Sequence, residues 1–265
     1  VKFRYGTING SNTYTGGNFT ATYDNWTQKY SYDTSNNYYQ TVANDSTTYK
    51  GGAYTAVGVV PSGTGGTTSD VAVVAWYDAS SHQLVYSYCA NPASGTTDTW
   101  QANAKVIDSN YAGWYVDMTV DGNGGIHIAY YTTGPGDLKY AYLSSYDAQP
   151  TVVTVDSYLS TGTQISINTR KSGSVYVPYI SYYNGSLDQT MNSVRVAWRS
   201  DTTTLGDGAS SDLATGRWEY MTVPATSVPD NAVICNGVPT TGTYANTVVL
   251  GFKTDEKYAK AVLKQ

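Results

Sequence analysis

The sequence predicts an all-β chain folded as one domain, a five-bladed β-propeller of four-stranded antiparallel blades. Three observations carry that prediction. One hairpin pattern recurs five times, and strand-like runs flank each copy. Dividing 265 residues among five units also leaves about 53 per unit, close to the length of one blade. The expected blades span 9–45, 46–108, 109–156, 157–224 and 225–265, the last completed by residues 1–8.

The hairpins follow in chain order. A degenerate first copy pairs Phe19–Asp24 with Lys29–Tyr32. Asp70–Asp78 pairs with Leu84–Tyr88, and Gly125–Tyr131 with Leu138–Tyr142. From Tyr77 to Tyr86 is nine residues, and from Tyr131 to Tyr140 is nine again. Val175–Tyr183 then pairs with Val194–Trp198, and Thr247–Phe252 with Lys257–Ala261. A strand precedes four of the hairpins, at Tyr54–Val60, Tyr115–Val120, Gln164–Asn168 and Ala232–Asn236. Another follows at Tyr38–Ala43, Ala104–Ile107, Val152–Val155 and Trp218–Val223. Three of these last strands run into Asp-Ser, at Asp45, Asp108 and Asp156, 63 and 48 residues apart. Runs such as Val71–Tyr77 are apolar at nearly every position, as expected where both faces of a sheet are covered. No window longer than one turn shows helical periodicity, so no substantial helix is predicted. The run Lys2–Ile8 is expected to close the ring as an outer strand beside Lys257–Leu263. Its alternative place is the innermost strand of the first blade.

Composition narrows the function. Charged residues make up 13% of the chain and the net charge is −5, which argues against nucleic acid and acidic membranes as partners, since both need clustered Lys and Arg. No run reaches the ~18 apolar residues of a membrane helix, so no membrane insertion is expected. The chain opens Val1-Lys2-Phe3 with no apolar leader, as a mature or excised segment would, and its low charge suits an extracellular or surface-displayed β-protein. Cys89 and Cys235 fall on non-adjacent blades in this scheme and are expected to be free thiols.

The run Gly125–Tyr131, then Gly136–Tyr142, then Val153–Ser157 resembles the sialidase-like (BNR-like) propeller repeat. The resemblance covers roughly residues 50–200 and implies blade architecture on a bacterial secreted or surface protein. Departures are also present. No Asp-box of the form Ser-x-Asp-x-Gly-x-Thr-Trp occurs, and Arg4, Arg170, Arg195, Arg199 and Arg217 do not form the family's arginine triad. Sialidase activity is not implied.

Motifs for chemistry are sparse. Glutamate occurs only at Glu219 and Glu256, predicted in an outer strand and a hairpin turn, so a glycosidase acid–base pair would have to use aspartates. Asp45, Asp108, Asp117 and Asp156 lie on or near the loops entering the innermost strands, where they could cap turns or touch a ligand. His127, between Ile126 and Ile128, reads as a buried hydrogen-bonded histidine, and His82 as a turn residue. Two separated histidines and two cysteines give no metal pattern, and no cofactor is expected. Asp121-Gly122-Asn123-Gly124 reads as a hairpin turn rather than a calcium loop.

Aromatic residues in the inter-blade loops are the most informative: Tyr49, Tyr54, Tyr111, Trp114, Tyr115 and Tyr158. Flat aromatic faces beside Asp, Asn and Ser suit sugar rings. The candidate ligand-binding set is therefore Asp45, Tyr54, Asp108, Trp114, Tyr115, Asp117, Asp156 and Tyr158, with no catalytic or metal residue assigned. The favoured reading is a non-catalytic extracellular module that binds a glycan or another surface ligand. The alternatives are a structural subunit or cap of a larger surface assembly or filament, with self-association or parent-protein domains as partners, and a glycoside hydrolase.

Overall fold

The structure, a computed structural model, describes residues 2–3, 7–8, 13–16, 19–22, 40–43, 46–92, 97–157, 160–185, 193–199, 218–223, 233–237, 248–253 and 258–263. Three four-stranded antiparallel meanders occupy the middle of the chain. Sheet I comprises β6 (Thr55–Val60), β7 (Val71–Asp78), β8 (Gln83–Cys89) and β9 (Lys105–Asp108). Sheet II comprises β10 (Ala112–Val120), β11 (Ile126–Thr132), β12 (Asp137–Leu143) and β13 (Thr151–Asp156). Sheet III comprises β14 (Ser160–Ser172), β15 (Val175–Gly185), β16 (Ser193–Arg199) and β17 (Trp218–Val223). These strands fall where the repeat placed them.

Why β7 is apolar throughout is now a matter of packing. All eight of its residues are buried. Because side chains alternate across a strand, Val71, Val73 and Ala75 enter one core and Ala72, Val74 and Trp76 another. The first core lies between sheets I and II, where Leu84 and Tyr86 meet Ile126, Ile128 and Tyr130. The second covers the opposite face of sheet I with Val42, Ala43 and Trp100. A third, between sheets II and III, joins Leu138 and Tyr140 to Val177, Tyr179 and Val194. Trp100 comes from α1 (Thr97–Ala102), a six-residue helix with no counterpart in the strand repeat. The helix is tied to sheet I where the Ser87 hydroxyl donates to the Trp100 carbonyl.

The predicted closed ring of five blades is not what forms. Among the described residues only three sheets have four strands. At the C-terminal end, β18 (Val233–Gly237), β19 (Val248–Lys253) and β20 (Tyr258–Leu263) make a three-stranded sheet. At the other end, β2 (Thr7–Ile8), β3 (Thr13–Gly16) and β4 (Phe19–Thr22) make another. There Phe19–Thr22 pairs with the preceding strand β3. Its predicted partner, Lys29–Tyr32, lies outside the described residues. The proposed ring closure is also corrected. β1 (Lys2–Phe3) pairs with β5 (Gln40–Thr41), and Thr7–Ile8 pairs with β3, so the run is divided between two sheets and takes neither of its two expected places. Among the described residues β20 pairs only with β19. The N-terminal sequence is rich in glycine, at Gly6, Gly10, Gly16 and Gly17, a residue that weakens strands.

The first strands of successive sheets lie side by side, β10 between β6 and β14. Close approach of the start of β14 to β12 relies on glycine. Gly162 has φ +105°, and a Cβ added to it would stand 2.9 Å from the Leu138 Cβ and 3.0 Å from its Cα. Gly162→Ala is therefore expected to cost about 2–4 kcal/mol, combining backbone strain with overpacking. Gly173→Ala, with φ +62° and open space around it, should cost about 1 kcal/mol. Denaturant unfolding compares them, and equal losses would contradict the close packing of sheet II on sheet III.

Candidate functional site

The entries to the first strands of sheets II and III repeat one irregular backbone, and the entry to sheet I shares part of it. In β10 the register slips between Ala112 and Trp114 and again between Trp114 and Asp117. In β14 it slips between Thr161 and Thr163 and between Thr163 and Ser166. Gly113 (φ +111°) and Gly162 (φ +105°) occupy the first slip. The second places Tyr115 (φ 52°) and Gln164 (φ 52°) in the left-handed region. Tyr54 (φ 59°), just before β6, has the same conformation. Gly-x-Tyr, Gly-x-Tyr and Gly-x-Gln thus mark the three entries, at 52–54, 113–115 and 162–164. Such backbone is costly for residues with a Cβ, of the order of 1–3 kcal/mol each, and gathers where a side chain must be re-aimed.

At the junction of sheets I and II the re-aimed side chains meet. The Tyr54 ring stacks on Trp114 with centroids 5.3 Å apart at 30°, and lies 4.9 Å from the ring of Tyr115. Tyr77, at the end of β7, presents its ring edge-on to Trp114 at 6.0 Å. Tyr131, its counterpart on β11, meets Tyr115 at 6.4 Å. The β7–β8 turn adds His82, which stacks on Tyr111 at 5.1 Å and 16° and is hydrogen-bonded through Nδ1 to the Tyr77 hydroxyl at 2.6 Å. His82 (φ 56°) and Tyr111 (φ 49°) are also left-handed. Four of the five left-handed non-glycine residues among those described therefore belong to this one aromatic cluster. The backbone ties its two sides together, since Ala112 N–H donates to the His82 carbonyl at 3.2 Å.

The cluster is partly open. Tyr111 is 52% exposed, whereas Tyr54, Trp114, Tyr115 and Tyr131 are half-buried. Burial, then the neighbouring Tyr115 with which it shares a hydrogen bond, pushes the Tyr54 phenol above its ordinary range, so it stays a neutral hydroxyl. The indole Nε1–H of Trp114 is shielded and has no hydrogen-bond acceptor. A buried donor left unpaired costs about 1–3 kcal/mol, which an incoming acceptor would recover.

The aspartates of the candidate set are placed differently. Asp108, ending β9, accepts from Tyr130 Oη and Lys139 Nζ of sheet II, both at 2.9 Å, and from the Asn110 N–H at 3.0 Å. Asp156, ending β13, repeats the arrangement one sheet later, accepting from Tyr182 Oη at 2.7 Å and Arg195 at 2.8 Å. The Asp-Ser marks at these two positions are thus inter-sheet latches, with turn capping added at Asp108. Burial alone would raise the Asp108 carboxyl, but Lys139, Asn110 and Tyr130 together hold it below its ordinary value. Asp117 accepts from Met118 N–H and Ile167 N–H, both at 2.9 Å, and so pins β14 to β10. Burial outweighs these bonds and raises its carboxyl above the usual range. Asp45 and Tyr158 lie outside the described residues.

His127 is buried as the sequence suggested, between Tyr140 Oη at 2.7 Å and Asp121 Oδ2 at 3.0 Å. Asp121 also closes the β10–β11 turn by accepting from Asn123 and Gly125 N–H. His82 sits in its turn exposed, as expected, yet is tied to Tyr77 and Tyr111. Cys89 is a buried free thiol. Among the described residues no cluster of His, Cys, Asp and Glu could hold a metal ion. Of the candidate set, then, Tyr54, Trp114 and Tyr115 come together. Tyr77, Tyr131 and His82 join them without having been singled out, although the Tyr77–Tyr131 repeat marks equivalent strand ends.

Compared with known proteins, the chain matches no protein-family model and no curated protein. The reading of the site therefore rests on its own geometry.

The latch carries a pH test. A carboxyl held low in the folded state stabilises it fully above the unfolded pKa of about 4, and that stability is lost as pH falls through the lowered value. Lys139→Met strands the Asp108 charge and should cost about 2–4 kcal/mol at pH 7. The penalty should shrink toward pH 3 as Asp108 protonates. Unfolding curves at both pH values read it, and an equal penalty at each would contradict the latch.

Proposed function

We propose that the chain is a non-catalytic carbohydrate-binding module, acting outside the cell or on its surface, whose ligand lies on the Tyr54–Trp114–Tyr115 platform. The observation that carries this reading is the gathering of strained, left-handed aromatic residues around one unpaired indole N–H. Sugar rings present polarised C–H faces to aromatic π-clouds and hydroxyls to donors and acceptors at their rim. The platform provides both partners. Its polar groups are phenols, an indole and an imidazole, which suit hydroxyl recognition. Low overall charge supports an extracellular setting. Asp117, the carboxyl nearest in sequence to the platform, has both oxygens engaged by backbone N–H groups, an arrangement for holding strands rather than for attacking a glycosidic bond.

Exposed Val106 on β9, and Tyr220 and Met221 on β17, favour a second reading. These outer strands would pack laterally in a larger surface assembly. Sedimentation that shifts with protein concentration in the absence of any glycan would support it.

Trp114→Ala is expected to weaken binding on a glycan array by about 2 kcal/mol or more, roughly thirtyfold, with an unchanged far-UV spectrum. Undiminished binding by a folded Trp114→Ala variant would sink the assignment of the platform as the ligand site.

A further inference from the structure

We infer that the platform reads a neutral carbonyl, and that its ligand is a sugar bearing an acetamido group whose carbonyl accepts from the Trp114 indole N–H. The inference rests on the platform being a sugar site and names the class of sugar. Trp114 is held where it stands. Gly113 before it has φ +111°, and a Cβ added there would stand 3.2 Å from Leu84. Trp114 itself is paired with Tyr131 in the ladder. Tyr54 stacks on its ring at 5.3 Å, and Tyr77 meets it edge-on at 6.0 Å. The indole N–H is therefore a fixed donor, shielded and without an acceptor. The phenols of those two neighbours are engaged elsewhere, Tyr54 with Tyr115 and Tyr77 with His82 Nδ1 at 2.6 Å.

What suits a lone, shielded donor follows from the hydrogen-bonding capacity of each candidate group. An indole N–H only donates. A sugar hydroxyl that accepted from it would bring a hydrogen of its own into a place walled by aromatic rings, where a donor left unpaired is costly. A carboxylate would accept, but Tyr54, Tyr77, Trp114, Tyr115 and Tyr131 carry no cation to offset it, and an unpaired charge out of water costs more still. An amide carbonyl accepts and brings neither a charge nor a hydrogen. In an acetamido group it also carries a methyl that packs against ring faces. The amide is planar and trans, so with its carbonyl turned inward its own N–H turns outward to water.

Isothermal titration of the whole chain tests this. The probes are N-acetylglucosamine against glucose and N-acetylgalactosamine against galactose, with galacturonic acid as the charged comparison. Each acetylated sugar should bind roughly three- to tenfold more tightly than its parent, and galacturonic acid more weakly than the acetylated sugars. Trp114→Phe keeps an aromatic face and removes the N–H, so the ratio between acetylated and parent sugar should fall to about one. Saturation-transfer NMR on the unaltered chain needs no variant. Irradiating the protein's aromatic protons should place the strongest ligand signal on the acetyl methyl. If acetylated and parent sugars bind alike while Trp114→Ala abolishes both, the acetamido reading is overturned and the platform stands. A preference that survives in Trp114→Phe, or saturation that favours the sugar-ring protons over the methyl, would overturn it as well. Tighter binding of galacturonic acid would overturn the choice of a neutral carbonyl. If no sugar binds the unaltered chain, the platform reading and this inference fall together.

Discussion

The second strand of each four-stranded sheet, β7, β11 and β15, is buried on both faces along nearly its whole length, and that constraint shapes the rest. A β-strand with one wet face alternates polar and apolar residues. Val71–Asp78 does not, because its odd positions feed one core and its even positions another. Sheets that must be covered twice stack in chain order, and stacking brings the first strand of each against the first strand of the next. Gly113 and Gly162 let the starts of β10 and β14 lie against β8 and β12 of the preceding sheet, where added side chains would press on Leu84 and Leu138. The Asp108 and Asp156 latches fasten the outer ends of the same interfaces to a tyrosine and a cation of the following sheet.

The site follows from this arrangement. Tyr54 and Tyr115 are more than sixty residues apart in sequence, yet they touch because equivalent points of neighbouring sheets coincide. Their left-handed backbone would be a cost without return in a purely structural turn, where glycine would serve better. Retaining tyrosine there is the kind of local conflict that marks a working surface. The polar interior shows a contrasting use of similar residues. Asp121, His127 and Tyr140 form a closed, buried chain of hydrogen bonds with nothing left over for a ligand.

Much of this was legible in the sequence. Two-sided apolar runs, turn signals and the nine-residue Tyr spacing placed the strands of the three complete sheets. Tyr54, Trp114 and Tyr115 stood out because the repeat put them in loops, although Trp114 and Tyr115 belong to the irregular start of β10. The remainder was hidden for identifiable reasons. Tyr77 and Tyr131 sit at the ends of strands and look like core. Asp108 and Asp156 resemble free loop carboxylates until folding delivers Lys139 and Arg195 from a distant strand. The count of five complete units treated short, glycine-broken runs at the N-terminus as equal to the central hairpins. Among the described residues those runs form strands of only two to four residues in smaller sheets, and Lys2–Phe3 found its partner at Gln40–Thr41.

The central claim is that the junction of sheets I and II receives a sugar on the Trp114 face. The indole N–H resonances report on it most directly. In a ¹⁵N-labelled sample titrated with neutral oligosaccharides, the Trp114 signal, assigned by its loss in Trp114→Phe, should move downfield as its donor gains an acceptor. The Trp76 signal, already bonded to the Lys50 carbonyl, should stay in place. A titration in which Trp114 stays fixed while other indoles move would contradict the account.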